Sequence, residues 1–153
     1  MVYSSIDPYV RLVDLDTMKR KQEMIDLSGA NERRQGGYGG RSISIMSLKL
    51  SGDGKEVLGG TKGAHLLVYD LIANRMVQKV DNCHSDEINS VCFANRQHSN
   101  ILFSGSDDGM VKVWDRRALN SNRPAGIFVG HSEGITNIAS KGDGVYLASN
   151  GKD

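Results

Sequence analysis

Residues 101–116, ILFSGSDDGMVKVWDR, place two short apolar runs on either side of an acidic turn and close the second run with Trp114-Asp115. This predicts a β-hairpin, because the Ser-Asp-Asp-Gly turn supplies side chains that bond their own backbone and a glycine that tolerates positive φ. The pattern recurs. Tyr69-Asp70 lies 45 residues before Trp114-Asp115, and Val13-Asp14 a further 56 before that. The runs 10–13, 66–69 and 111–114 lead into these pairs as strands. Each unit also opens alike, with six residues from Arg41 to Ser47, from His84 to Ser90 and from His131 to Asn137. A period near 45 residues is that of four-stranded propeller blades.

Local pattern agrees with an all-β chain. Val91 and Phe93, and likewise Leu48 and Leu50, alternate with smaller or polar residues, the period of a half-buried strand. Ser51-Gly52-Asp53-Gly54 and Lys141-Gly142-Asp143-Gly144 stand where hairpin turns are needed. No amphipathic helix of a dozen residues is present. Residues 16–27 are expected to supply a strand and the start of a loop.

On these residues the chain resembles the WD40 repeat family, through Gly130-His131 and the run from Ser104 to Asp115. The resemblance implies a hydrogen-bonded tetrad that locks a blade, formed by His84, Ser104, Asp108 and Trp114. The next unit supplies His131, Ser149 and Asp153. Elsewhere the pattern departs: Gly59 and Gly63 replace Ser and Asp, the first unit keeps Asp7 alone, and Cys83 replaces the glycine before His84. The expected organisation is a part of one WD40 β-propeller, about three and a half blades. Its units are approximately 1–27, 41–81, 84–129 and a truncated 131–153, with a Gly-rich loop over 28–40.

Composition narrows the function. A net charge of +1 over 153 residues argues against a polyanion-binding surface, so no direct nucleic-acid partner is expected. There is no apolar run near 18 residues, hence no expected membrane partner. The two cysteines, Cys83 and Cys92, are expected as buried, reduced thiols. Cys83, His84, Cys92 and His98 lack the paired spacing of a zinc site, so no metal or cofactor is expected. Arg33 to Arg41 is a single glycine-rich copy and not a stacking tract for RNA. His84, Ser104 and Asp108 are residue types of a hydrolase triad, but their spacing is that of the blade tetrad. No catalytic residue is therefore expected, and the protein is read as non-enzymatic.

Arg116-Arg117 follows the strand in a polar turn, where an Arg fork can meet a partner carboxylate or carbonyl. The segment 101–117 is similar to the DWD box, marked by Trp-Asp-x-Arg. The stretches 52–60, 91–94, 101–117, 134–136 and 140–143 resemble the WD-repeat protein 23 group, also called cullin-4 associated factor 11. That resemblance implies a substrate receptor of cullin-4 RING ubiquitin ligases in the nucleus or cytoplasm. Trp114, Asp115, Arg116 and Arg117 would engage the adaptor damaged-DNA-binding protein 1. Protein substrates such as stress-response transcription factors would be held elsewhere. The alternative is a general WD40 scaffold without a ligase role.

Overall fold

The computed structural model describes residues 1–5, 7–13, 22–27, 43–97, 99–121 and 123–153. Asp14, Arg41, His98 and the expected glycine-rich loop over 28–40 lie outside them. The strands are β1 (Val2–Ser4), β2 (Tyr9–Val13), β3 (Gln22–Asp26), β4 (Ile45–Leu50), β5 (Glu56–Thr61), β6 (Leu66–Asp70) and β7 (Arg75–Val80). They continue with β8 (Ile88–Phe93), β9 (Ile101–Ser106), β10 (Val111–Asp115), β11 (Gly126–Phe128), β12 (Ile135–Ser140) and β13 (Leu147–Gly151). All pairings are antiparallel and follow chain order, giving sheets β1-β2-β3, β4-β5-β6-β7, β8-β9-β10-β11 and β12-β13. These sheets are propeller blades, and the all-β expectation holds. Among the described residues no helix is long and apolar enough to cross a membrane.

Successive side chains of a strand point to opposite faces. In β6, Leu66 and Val68 join one core with Leu58, Ile88, Leu102 and Trp114, while Leu67 and Tyr69 join another with Val10, Ile25 and Ile45. In β8, Val91 and Phe93 face the first of these cores, and Cys92 turns the other way toward Phe103, Ile135 and Ile138. The half-buried reading of β8 is therefore corrected. It is covered on both faces, by the blades before and after it, whereas Leu50 at the end of β4 is 42% exposed. Alternation cannot show this, because Cys92 and Ser90 are small enough to be buried without looking apolar.

Two features set the distance between blades. A Cβ on Gly60 of β5 would come within 2.6 Å of Ile88 Cγ2 and 2.8 Å of Val91 Cγ1. One repeat later, a Cβ on Gly105 of β9 would come within 2.7 Å of Ile135 Cγ2 and 3.0 Å of Ile138 Cγ2. Each glycine is a notch that seats the first strand of the next blade. Those first strands carry a matching irregularity, a register shift at Ile45/Ser47, Ile88/Ser90 and Ile135/Asn137. Such a bulge re-aims side chains. The Ser47 hydroxyl accepts from Val91 N–H at 3.2 Å, and the Ser90 hydroxyl accepts from Ile138 N–H at 3.0 Å. The six-residue step seen in the sequence ends on these bulge residues.

The turn expectations also hold, with Gly54 at φ +71° and Gly144 at φ +78°. The segment after β10 differs from the loop expected there. Arg116–Ser121 forms a 3-10 turn before β11.

The notch gives a direct test. Gly105→Ala should lower stability by about 1–3 kcal/mol, as overpacking does. Ile135→Val, which trims the opposing side chain, should recover part of that loss in the double variant, read from urea unfolding midpoints as a thermodynamic cycle.

Candidate functional site

The hairpin β9–β10 and the loop ahead of β8 bring four polar side chains together between two blades. Trp114 Nε1–H donates to Ser104 Oγ at 2.8 Å. Ser104 Oγ stands 2.7 Å from His84 Nε2, and His84 Nδ1 stands 2.8 Å from Asp108 Oδ2. An indole can only donate, so Ser104 accepts there and spends its own proton on His84 Nε2. The imidazole is then neutral, with its hydrogen on Nδ1 facing the carboxylate. Every donor in the chain has one acceptor.

The electrostatics agree with that assignment. Burial pushes His84 below the ordinary imidazole value of 6.5, against the pull of Asp108. Burial pushes the Asp108 carboxyl up, but His84 and the backbone N–H groups of Ser85 and Met110 together carry it below the ordinary 3.8. Ser104 is fully buried with its hydroxyl engaged on both sides, so it has no face for an incoming carbonyl.

The next blade repeats the arrangement in an exposed setting. His131 Nδ1 lies 2.8 Å from Asp153 Oδ1 and His131 Nε2 lies 2.9 Å from Ser149 Oγ. The His131 hydrogen bond and that from Ser132 N–H hold the Asp153 carboxyl at about 2. In the preceding blade, where Gly59 and Gly63 stand, Tyr69 takes the place of Trp114 and its hydroxyl donates to Asn74 Oδ1 at 2.7 Å. Asp7 pairs with Arg11 at 3.0 Å. Cys83 belongs to the apolar core that holds Leu58 and Ile88, and its thiol donates to Ala64 C=O at 3.1 Å. It lies in a different core from Cys92, and burial pushes the two thiols up to about 12 and about 11. Among the described residues no cluster of His, Cys, Asp and Glu is placed to hold a metal ion.

The segment Trp114-Asp115-Arg116-Arg117 divides by role. Trp114 is wholly buried and offers no surface of its own. Arg116, expected as a fork presented to a partner, is instead turned into the fold. Its Nη1 and Nη2 meet Glu56 Oε2 and Oε1 at 2.7 and 2.8 Å, and its Nε donates to Gln78 Oε1 at 2.6 Å. Nη1 also reaches the Ser99 hydroxyl at 3.0 Å. Arg116 thus ties β5 and β7 of one blade to the hairpin of the next. Nothing near residue 116 in sequence reveals Glu56, 60 residues away. Arg117 is the exposed one, at 71%. Its Nε and Nη2 bond Asp115 Oδ1 and Oδ2 at 2.9 and 2.7 Å, leaving Nη1 without a hydrogen bond among the described residues. Arg117 holds the Asp115 carboxyl at about 2, so the pair stays ionised at any physiological pH.

Comparison with known proteins follows the same lines. The family model for nucleolar protein 10-like, N-terminal domains matches residues 1–147. LEC14B protein of Lithospermum erythrorhizon is 40% identical over 156 residues, taking in 100% of this chain and 33% of that protein. The DDB1- and CUL4-associated factor 11 homolog of Caenorhabditis elegans is 38% identical over 131 residues, 84% of this chain and 22% of that protein. The chain therefore spans about a fifth to a third of the length of such relatives. Among solved structures, a chain of the mitotic checkpoint complex superposes with a TM-score of 0.72 at 21% identity, covering 95% of this chain and 38% of that one. The RRP9 WD40 repeats superpose at 0.60 with 18% identity, covering 75% and 33%. At these identities the likeness is one of fold.

Trp114→Ala should cost about 3–5 kcal/mol, the range for a large buried aromatic. Asp108→Ala should cost about 1–3 kcal/mol, since it strands buried donors. The folded His84 resists protonation, so the unfolded chain takes up the proton first as pH falls through 6.5. Stability should therefore drop between pH 7.5 and 5.5, and His84→Asn should shrink that drop in denaturant titrations at the two pH values. The contribution of Asp108, by contrast, is present above the unfolded carboxyl value and lost only below it.

Proposed function

Because the chain belongs to the family of nucleolar protein 10-like, N-terminal domains, with the WD40 propeller fold, we propose that it acts without catalysis, as a substrate receptor of a cullin-4 RING ubiquitin ligase. One observation carries this reading: the exposed, preorganised Arg117 guanidinium closing a Trp-Asp-x-Arg segment, in a chain similar to proteins named DDB1- and CUL4-associated factor 11 homolog. The side-on pairing with Asp115 holds the Arg117 plane in place and leaves Nη1 for an acceptor on the adaptor damaged-DNA-binding protein 1. A planar fork fixed in advance loses less side-chain entropy on docking. Trp114 contributes by anchoring the strand that presents this group, and Arg116 by fixing the turn on the neighbouring blade. Substrate is held away from this end, and the setting is nuclear or cytoplasmic.

A second reading, a WD40 scaffold with no ligase role, draws on the same pair. Arg117 already has a carboxylate in Asp115, so a turn that merely caps itself needs no partner.

The two readings separate on one substitution. Arg117→Ala in the full-length protein should weaken adaptor binding on the order of thirtyfold, as loss of an interface anchor does, with an unchanged melting temperature. Arg116→Ala should instead lower stability by about 1–3 kcal/mol, because Glu56 is left partly buried without its partner. Adaptor capture measured beside a melting curve reads both, and full binding by Arg117→Ala favours the scaffold.

A further inference from the structure

Ile101 pairs with Asp115, so the turn between β8 and β9 lies at the same end of the blades as Arg117. At that end the innermost strands β4, β8 and β12 and their following turns enclose a cleft of about 440 Å³. Lys49, Leu50, Phe93, Asn95, Arg96 and Ile138 are among the residues lining it. The volume is within the range of ligand-binding clefts.

The charge of this cleft is one-sided. Lys49 and Arg96 are exposed, and neither forms an ion pair among the described residues. No carboxylate is among the residues lining it, and those of the two bordering turns bond within their own turns. Asp53 accepts from the Ser51 hydroxyl at 2.6 Å and Lys55 N–H at 3.1 Å. Asp143 accepts from Val145 and Tyr146 N–H at 2.9 and 3.1 Å and pairs with Lys141 at 3.1 Å. Arg96 is also held in position. Its N–H donates to Gly142 C=O at 3.2 Å, and its stem lies across Gly142, where a Cβ would meet Arg96 Cγ at 2.9 Å. Beside the two cations the lining offers apolar surface, with Phe93 and Ile138 buried and Leu50 exposed at the rim, while the polar Asn95 and Ser140 bond the backbone of Gln97, Ala94 and Gly142.

We propose that this cleft docks an acidic peptide segment of a protein partner. An Asp or Glu carboxylate sits between Lys49 and Arg96, and an adjoining apolar side chain packs on Leu50. The lining selects peptide over nucleic acid. Two cations on a chain of net charge +1 cannot track a phosphate backbone, and no exposed aromatic ring is offered for base stacking. Carboxylate recognition flanked by apolar contact is what the residues supply. Arg117 takes no part in it, so the cleft and the adaptor contact stand or fall separately.

The test is fluorescence anisotropy on the full-length protein with a labelled nonapeptide carrying four glutamates and one leucine in a glycine-serine background. Its glutamine counterpart serves as the control. The glutamate peptide should bind at least tenfold more tightly at low salt, and the preference should shrink as salt is raised. Lys49→Gln with Arg96→Gln should abolish the preference, Lys49→Gln alone should reduce it about threefold, and Arg117→Ala should leave it intact. Both side chains are exposed, so the melting temperature serves as the check on folding. Equal affinity for the two peptides, or a preference that survives the double substitution, overturns the proposal. Tighter binding of an oligothymidylate than of the glutamate peptide overturns it in favour of nucleic acid.

Discussion

The close approach of neighbouring blades at Gly60 and Gly105 is the constraint on which the rest of the structure depends. With no side chain in the way, the isoleucines of the next first strand, Ile88 and Ile135, seat directly on the sheet and are fully buried. At that separation the bulge serines can reach across, so Ser47 and Ser90 accept backbone N–H groups from β8 and β12. The same separation buries His84, Ser104 and Trp114, where a fully paired polar chain rigidifies and an unpaired one is costly. Apolar seating comes first, and the polar links are affordable because of it.

Much of this was legible because a propeller writes its pairings at fixed offsets. His84, Ser104, Asp108 and Trp114 lie within one repeat, and each pair is separated by a hairpin or a single strand. The resemblance to the WD40 family therefore marks the tetrad at those offsets, and the common approach to the closing aspartate marks the strands β2, β6 and β10. What stayed hidden runs between repeats. Arg116 finds Glu56 and Gln78 in the preceding blade, at separations of 60 and 38 residues. No periodicity marks that partnership. The burial of β8 on both faces was hidden for a similar reason, since its second cover comes from Ile135 and Ile138 of the following unit. The step of six residues to Ser47, Ser90 and Asn137 was visible as a regularity. Its cause, a bulge that aims a side chain at the next blade, was not.

The two adjacent arginines show how little residue type decides. They share charge, geometry and neighbourhood, yet the chain leaves β10 into a 3-10 turn and sends them to different environments. Arg116 is half-buried among Glu56, Gln78 and Ser99, and serves the junction of two blades. Arg117 reaches solvent and meets the aspartate two positions before it. A partner that takes Arg117 does not meet a bare cation. It either adds an acceptor at Nη1 or displaces Asp115, and the second route exchanges one ion pair for another. Long-range attraction through this residue is correspondingly muted, and specificity rests on the planar shape of the group.

Cys83 and Cys92 are the two cysteines of the chain, and each is sealed in a different inter-blade core. With both thiols held far above neutrality, neither reacts while the blades stay packed. A thiol reagent therefore becomes a clock for unzipping. Modification at Cys83 records separation at the Leu58–Trp114 side of the third blade, and modification at Cys92 records separation at its Ile135–Ile138 side. The native sequence thus carries two built-in reporters, and the order in which they label tells which seam of the repeat array parts first.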